Sequence, residues 1–449
     1  MAQHQTEAEC LLETGALYGK RVLLRPGPGA GDPVFAGFKT GAFSLYFGDA
    51  PIFHFDREGR WQRAFVEGVH YLKGLDTTVR TIDRVREGAN LVLKRTTPGY
   101  AEASDFDASV RSTALGLIES LDAGRLDRVE PPPNVRPVSN DELREFLETV
   151  ARWDNAAWFA HRESYLGAYG PLPFLPPDCP TPVVLQATLG HEGGLAFGYA
   201  PAAAHYVRTP DEFATHALAV AALLGRRVGQ CKAVFLGGGD VLRRPVDDVA
   251  AYLETAARVF PIDPSPGRPH PDPAGDASHR LTGVHAFLDQ LAPPLPSPDD
   301  WRRLRSLGLA RVSLGVESGD PAVRALYGKT WADDGLRAAV LDLKAAGVGV
   351  GVLLLVGAGG LENADRHLDA TAGLINTLEL GPGDLVSLLD AREVLGTDSG
   401  SRPEPLTFTP LTGASWAAQL AEMRTRLIPV RTARKAKVVP YSLEKQGLA

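Results

Sequence analysis

Cysteine is scarce in this chain of 449 residues: Cys10, Cys179 and Cys231 are the whole supply, and no two are spaced C-x-x-C. A disulfide framework is therefore not expected, and a reducing cytoplasm is the default location. Long apolar runs are missing as well. None approaches the ~20 residues that cross a bilayer, and the start has no basic flank leading into an apolar core, so neither a membrane span nor a signal peptide is expected. Positive charge is in deficit: 47 Lys and Arg against 54 Asp and Glu leave a net charge of −7. That removes the electrostatic footprint of a nucleic-acid binder. Arg431, Arg434, Lys435 and Lys437 form a short basic run, read as a solvated helix end. No G-x-S-x-G, H-E-x-x-H, Walker A or usable G-x-G-x-x-G is found.

What is present has the balance of a soluble globular chain, with 44% hydrophobic and 22% charged residues. From Arg21 to about Lys94, alternating segments such as AFSLYFG, PIFHFD and WQRAFVEGVHYL predict an antiparallel sheet with one packed and one wet face. Asp56-Arg57-Glu58-Gly59-Arg60 reads as a hairpin turn. A helix is predicted over Ser104 to about Ala123. Residues 1–130 thus form a β-rich domain with one helix. The proline-rich stretch Glu130–Pro137 opens a linker and helical lead-in over 131–180. Within it a helix is predicted from Asn140 through Trp153, Trp158 and Phe159.

From Val183 the pattern changes to alternating strands and helices: six β/α units over 181–395, then a helical extension over 396–449. The clearest unit runs from Ala310 to Leu355. Val312, Leu314 and Val316 alternate with Arg311, Ser313, Gly315 and Glu317, the period of a two-faced strand. Asp320-Pro321 opens a short helix, and Thr330-x-x-Asp333 reads as a capping box for the next. Val348–Val356 is an apolar run suited to a buried parallel strand. Pro261–Arg280 reads as a long loop. Such repeats build parallel α/β sheets whose sites lie at the C-terminal strand ends. Those ends carry Gly190-His191-Glu192, Gly237–Asp240, Asp289, Glu317-Ser318, Gly357–Gly360 and Asp390. If the faces bearing Arg311 and Glu317, and His285 and Asp289, line the lumen, it is polar. Such faces suit a polar ligand or pair among themselves, as Arg311 with Asp289. His191, Glu192 and His205 have a poor spacing for metal ligands and read as solvated loop residues.

The segments VSLGVESGDPAVRALYGK and LKAAGVGVGVLLLVGAGG resemble the fourth and fifth strands of the radical S-adenosylmethionine (SAM) superfamily, in its Elp3-like and coproporphyrinogen-dehydrogenase-like branch. The likeness covers roughly Pro171 to Asp390. It implies a partial (β/α)6 TIM-like barrel behind the N-terminal β-rich domain, with SAM and a [4Fe–4S] cluster as the family's cofactors. It implies that Gly237, Gly238, Gly239 and Asp240 match the glycine-rich element that meets the SAM amino group. Glu317 and Ser318 would match the fourth-strand polar residues, and Gly357 and Gly359 the glycines near adenine. The same glycines also serve simple turn geometry.

The family's cluster is held by C-x3-C-x2-C after the first strand, because iron–sulfur clusters need soft thiolates. Aligned on its flanks, this chain has His191, Leu195 and Gly198 at the three positions. The resemblance therefore implies a degenerate member that retains SAM or nucleotide binding but does not form a 5′-deoxyadenosyl radical. Candidate polar groups for non-radical chemistry are His191, Asp240 and Glu317. The alternative is a non-catalytic scaffold, a pseudoenzyme, that meets a protein partner through its β-rich domain.

Overall fold

The structure is a computed structural model, and it describes residues 19–442 apart from 28–30, 40, 88–89, 171, 173, 191–204, 264–279 and 396–407. Eight strands form an antiparallel meander: β1 (Arg21–Pro26), β2 (Val34–Lys39), β3 (Ala42–Phe47), β4 (Ile52–Asp56), β5 (Trp61–Val66), β6 (Val69–Lys73), β7 (Val79–Glu87) and β8 (Asn90–Thr96). Helix α1 (Tyr100–Asp122) follows, and β9 (Leu126–Val129) adds to the free side of β1. The sheet buries the side carrying Phe38, Phe43 and Phe55 and packs it against Phe146 of α2 (Asn140–Ala151). Helix α2 thus joins the core of the antiparallel sheet. The proline-rich linker before it is pinned to β1, where Arg21 N–H donates to Arg136 O and Val138 N–H to Arg21 O.

The single helix expected from Asn140 to Phe159 is in fact two. Helix α2 ends at Ala151, and α3 (Asn155–Ala168) starts afresh with the Asp154 carboxylate accepting from Ala157 N–H at 2.9 Å. A short acidic side chain offers the backbone this local bond, so it interrupts a helix as readily as it caps one.

The second sheet is parallel throughout. It begins with β10 (Val183–Gln186), after which β11 (Thr188–Leu189) and β12 (Tyr206–Val207) pair only with each other. Then come α4 (Pro210–Leu224), β13 (Val234–Gly237), α5 (Val246–Val259), β14 (Val284–Leu288), α6 (Pro298–Ser306), β15 (Leu309–Glu317), α7 (Pro321–Ala325), α8 (Asp333–Ala345), β16 (Gly349–Val356), α9 (Ala364–Asn376) and β17 (Leu385–Asp390). The short α10 (Ala391–Leu395), α11 (Gly413–Arg426) and α12 (Ile428–Thr432) lead to β18 (Lys437–Tyr441). The strand order is β10-β13-β14-β15-β16-β17-β18. Six β/α units are as expected, but residues 437–441, assigned to a helical extension, supply a seventh parallel strand. Pro440 masks it in the sequence, and proline is tolerated on an edge strand.

The sequence also reads Thr209-Pro210-Asp211-Glu212 as a capping box and Ser297-Pro298 as a helix cap; both caps form, the second as a box with Asp300, and so does the Asp320 cap of α7. The box at Thr330/Asp333 does not. Helix α8 has Ala332 as its cap with no side-chain bond, and Asp333 instead holds Arg324 at 2.6 Å. A buried guanidinium outbids a helix terminus for one carboxylate. Among the described residues, no helix is long and apolar enough to cross a membrane.

The two sheets meet through the β4–β5 hairpin. Arg60 is buried; its Nε donates to Asp56 Oδ2 at 2.6 Å, and its two terminal nitrogens donate to Leu223 O and Leu224 O, each at 2.6 Å. It therefore closes the C-terminal end of α4, where unpaired carbonyls favour a cation. Glu58 accepts from Arg226, and those bonds hold its pKa below the usual carboxylate value despite burial.

Candidate functional site

Side-chain directions on the parallel sheet identify its inner face. A Cβ on Gly315 would point at Asp289 Oδ1, Lys329 Nζ and Glu317 Oε1, and one on Gly351 at Ser313 Oγ. With strand alternation, Arg311, Ser313 and Gly315 share this face with His285, Phe287 and Asp289. The lower part is closed by the chain leading into β10. Asp178 binds Arg311 Nε at 2.6 Å and lies 3.6 Å from His285 Nδ1, while Phe174 stacks on Phe287 at 5.4 Å. Burial works against the Asp178 charge, but His285 and Arg311 prevail and bring its pKa down to about 2. The pairing of Arg311 with Asp289 weighed from the sequence is thus replaced by Arg311 with Asp178. Asp289 has another partner.

That partner is Lys329, in the turn after α7, which the sequence did not single out. Its ammonium reaches across the C-terminal end of β15, 2.6 Å from Glu317 Oε2, 2.7 Å from Gly315 O and 3.3 Å from Asp289 Oδ1. The Lys329 side chain is 0% exposed. Gly315 is required beneath it, since a Cβ there would stand 2.1 Å from Asp289 Oδ1 and 2.4 Å from Lys329 Nζ. Glu317 sits on a β-bulge with φ of 57°, and this irregularity turns its carboxylate toward the lysine. Asp240, also left-handed at φ 44°, accepts from Asp289 N–H at 2.6 Å and Gln290 N–H at 3.3 Å. So the ends of β14 and β15 bring two carboxylates onto one ammonium, and the end of β13 adds Asp240 beside them.

Their ionisation is shifted accordingly. Burial pushes Glu317 up to about 7, with Lys329 opposing and Asp289 assisting. Burial and the neighbouring Asp289 push Asp240 up to about 6. For Lys329 burial disfavours the charge, but Glu317 and Asp289 outweigh it and hold the pKa above the ordinary value.

The other expected residues are placed differently. The Ser318 hydroxyl bonds His367 Nδ1 at 2.7 Å and accepts from Asp320 N–H at 3.0 Å, so it braces the loop against α9. Gly237 ends β13, and Gly238 and Gly239 form the turn to Asp240. Gly238 has φ of 112°, and a Cβ would collide with the Thr188 hydroxyl at 2.0 Å, so packing alone demands glycine here. Gly357 N–H donates to Gln419 Oε1 at 2.7 Å, and Tyr327 OH donates to Ala358 O at 2.7 Å. A Cβ on Gly359 would meet Asn363 at 2.7 Å. The fifth-strand glycines are therefore held against the chain's own α11 and the turn after α7. His191, Leu195 and Gly198 lie outside the described residues.

A cluster's ligands are not matched by this chain's donors. Leu195 and Gly198 have no donor atom, and burial raises the Cys179 and Cys231 thiols to about 12 and 11, away from thiolate. Both cysteines also precede their strands, at the end of the sheet opposite Glu317. Among the described residues no three His, Cys, Asp or Glu are grouped to hold a metal ion.

No family model and no curated protein matches the sequence. Solved structures do. Coproporphyrinogen III oxidase (HemN) from Escherichia coli is 14% identical over 59% of this chain and 55% of its own, with a TM-score of 0.38. The [FeFe]-hydrogenase maturase HydG is 13% identical over 73% and 65%, at 0.37. Streptococcus suis SuiB, solved bound to its precursor peptide SuiA, is 12% identical over 84% and 73%, at 0.36. The first of these is a radical SAM enzyme. This chain spans little more than half of its length. Identities and scores this low carry no argument about activity.

Proposed function

We propose that the chain is a degenerate radical SAM protein that binds SAM or a related amine-bearing nucleotide at the mouth of its parallel sheet, without radical chemistry. The observation that carries this reading is the carboxylate excess at the ends of β13, β14 and β15, where Asp289 and Glu317 hold a single ammonium and Asp240 binds the Asp289 backbone beside them. Asp240 and Glu317 would face the ligand's ammonium, and the Gly357–Gly360 turn its base. SAM, where bound, supplies an electrophilic sulfonium for polar group transfer. The residues of this chain would bind and orient it, with Glu317 and Asp240 able to hold a proton near neutral pH. With no thiolates at positions 191, 195 and 198, reductive cleavage of SAM has no electron source in this chain.

Two measurements test the reading. Calorimetric titration with SAM should give saturable heat that falls at least tenfold in affinity in Asp240→Ala and Glu317→Ala. No heat at millimolar SAM would overturn it. Anaerobically purified protein should contain neither iron nor sulfide in stoichiometric amount, and no broad absorbance near 400 nm.

The second reading is a protein-binding scaffold, and one feature of the β-rich domain favours it. Among the described residues, strand β8 pairs only with β7, whose own pairing with β6 stops at Ile82, so within them the β7–β8 ribbon extends beyond the sheet with its outer edge open. An open edge is a template for strand addition.

A further inference from the structure

Charge inside a protein is retained only where its partners repay desolvation. Lys329 is an aliphatic stem folded back across β15, ending in an ammonium within hydrogen-bonding distance of a carboxylate, a backbone carbonyl and, at 3.3 Å, a second carboxylate. Glycine at 315 clears the space that the ammonium fills. Glu317 Oε2 is buried and meets the Lys329 ammonium at 2.6 Å. Two carboxylates on one ammonium, with Asp240 bound to the Asp289 backbone beside them, leave acceptors to spare.

We infer that this is a primary-ammonium subsite, and that Lys329 is its tethered occupant: the chain supplies in cis the group that the surrounding oxygens are arranged to receive. Its ligand class is a primary alkylammonium. A quaternary ammonium has no N–H to give Gly315 O and is too wide for the space above Gly315. The inference deepens the SAM reading by specifying what any amine-bearing ligand must displace, but it stands on this chain's own geometry.

Chemical complementation tests it. Lys329→Ala deletes the equivalent of propylammonium and leaves the three carboxylates in place. Thermal unfolding of the full chain should then show a saturable rise in midpoint of several degrees with propylammonium chloride, absent with tetramethylammonium chloride at equal ionic strength and absent in the wild type. Adding Glu317→Gln to Lys329→Ala should weaken half-saturation at least tenfold. No rise, or equal rises with both salts, overturns the inference. If Lys329→Ala is recovered unfolded, refolding with each salt decides instead: native circular dichroism regained only with propylammonium supports the subsite, and equal or no recovery removes it. Failure of SAM to bind, with propylammonium complementation intact, would end the SAM reading and leave the subsite standing.

Discussion

Two of the regions that bury charge in this molecule balance it in opposite ways. At the joint between the sheets, Arg60 gives its Nε to Asp56 and its terminal nitrogens to two carbonyls at the end of α4. At the mouth of the parallel sheet, Asp289 and Glu317 share Lys329 with Asp240 beside them, and two of the three carboxyls are driven toward protonation by burial. The first arrangement is complete; the second is short of positive charge. Completed networks hold parts of a fold in register, whereas an incomplete one stores affinity for something else.

The largest effect that would break this comparison is expected at the joint. Arg60→Ala strands the buried Asp56 carboxylate and two helix carbonyls, and should cost ~3–5 kcal/mol in denaturant unfolding. A loss below ~1 kcal/mol would mean that the joint is no better matched than the mouth. A smaller effect separates the two through pH. Asp240 has a folded pKa of about 6, raised from its ordinary value, so its contribution to stability is full below about pH 4 and is lost as pH rises through 6. The stability of Asp240→Asn relative to wild type should therefore rise by about 3 kcal/mol between about pH 4 and 7. Identical pH profiles would show that the mouth carries no excess charge. The smallest effect concerns Ser318. Its hydroxyl serves His367 and the Asp320 backbone, so Ser318→Ala should cost ~1 kcal/mol of stability. It should leave SAM affinity unchanged; a large affinity loss would return Ser318 to the ligand side.

Local chemistry made much of this legible in advance. The alternation along β15, the caps at Thr209, Ser297 and Asp320, and the hairpin at Asp56–Arg60 are set by neighbours within a few residues, and the structure bears them out. Failures came where one side chain had a second partner to choose, near or far. Asp333 looks like a capping residue until Arg324 claims it, and Asp154 looks like helix interior until it caps α3. Lys329 escaped notice because no strand period includes it; only the turn after α7 brings it over Gly315. Its neighbours Glu317 and Asp240 were visible because each ends a strand. Glycines misled in the opposite direction: Gly238 reads as a cradle for a ligand, yet Thr188 already fills the space beside it.

The strap that crosses the inner face before β10 has a consequence for what can be accommodated. With Phe174 lying on Phe287 and Asp178 clasping Arg311, the floor of the bowl is upholstered by the protein itself. At that depth the inner face is met by the strap's own side chains, so Phe287 and Arg311 are already spoken for.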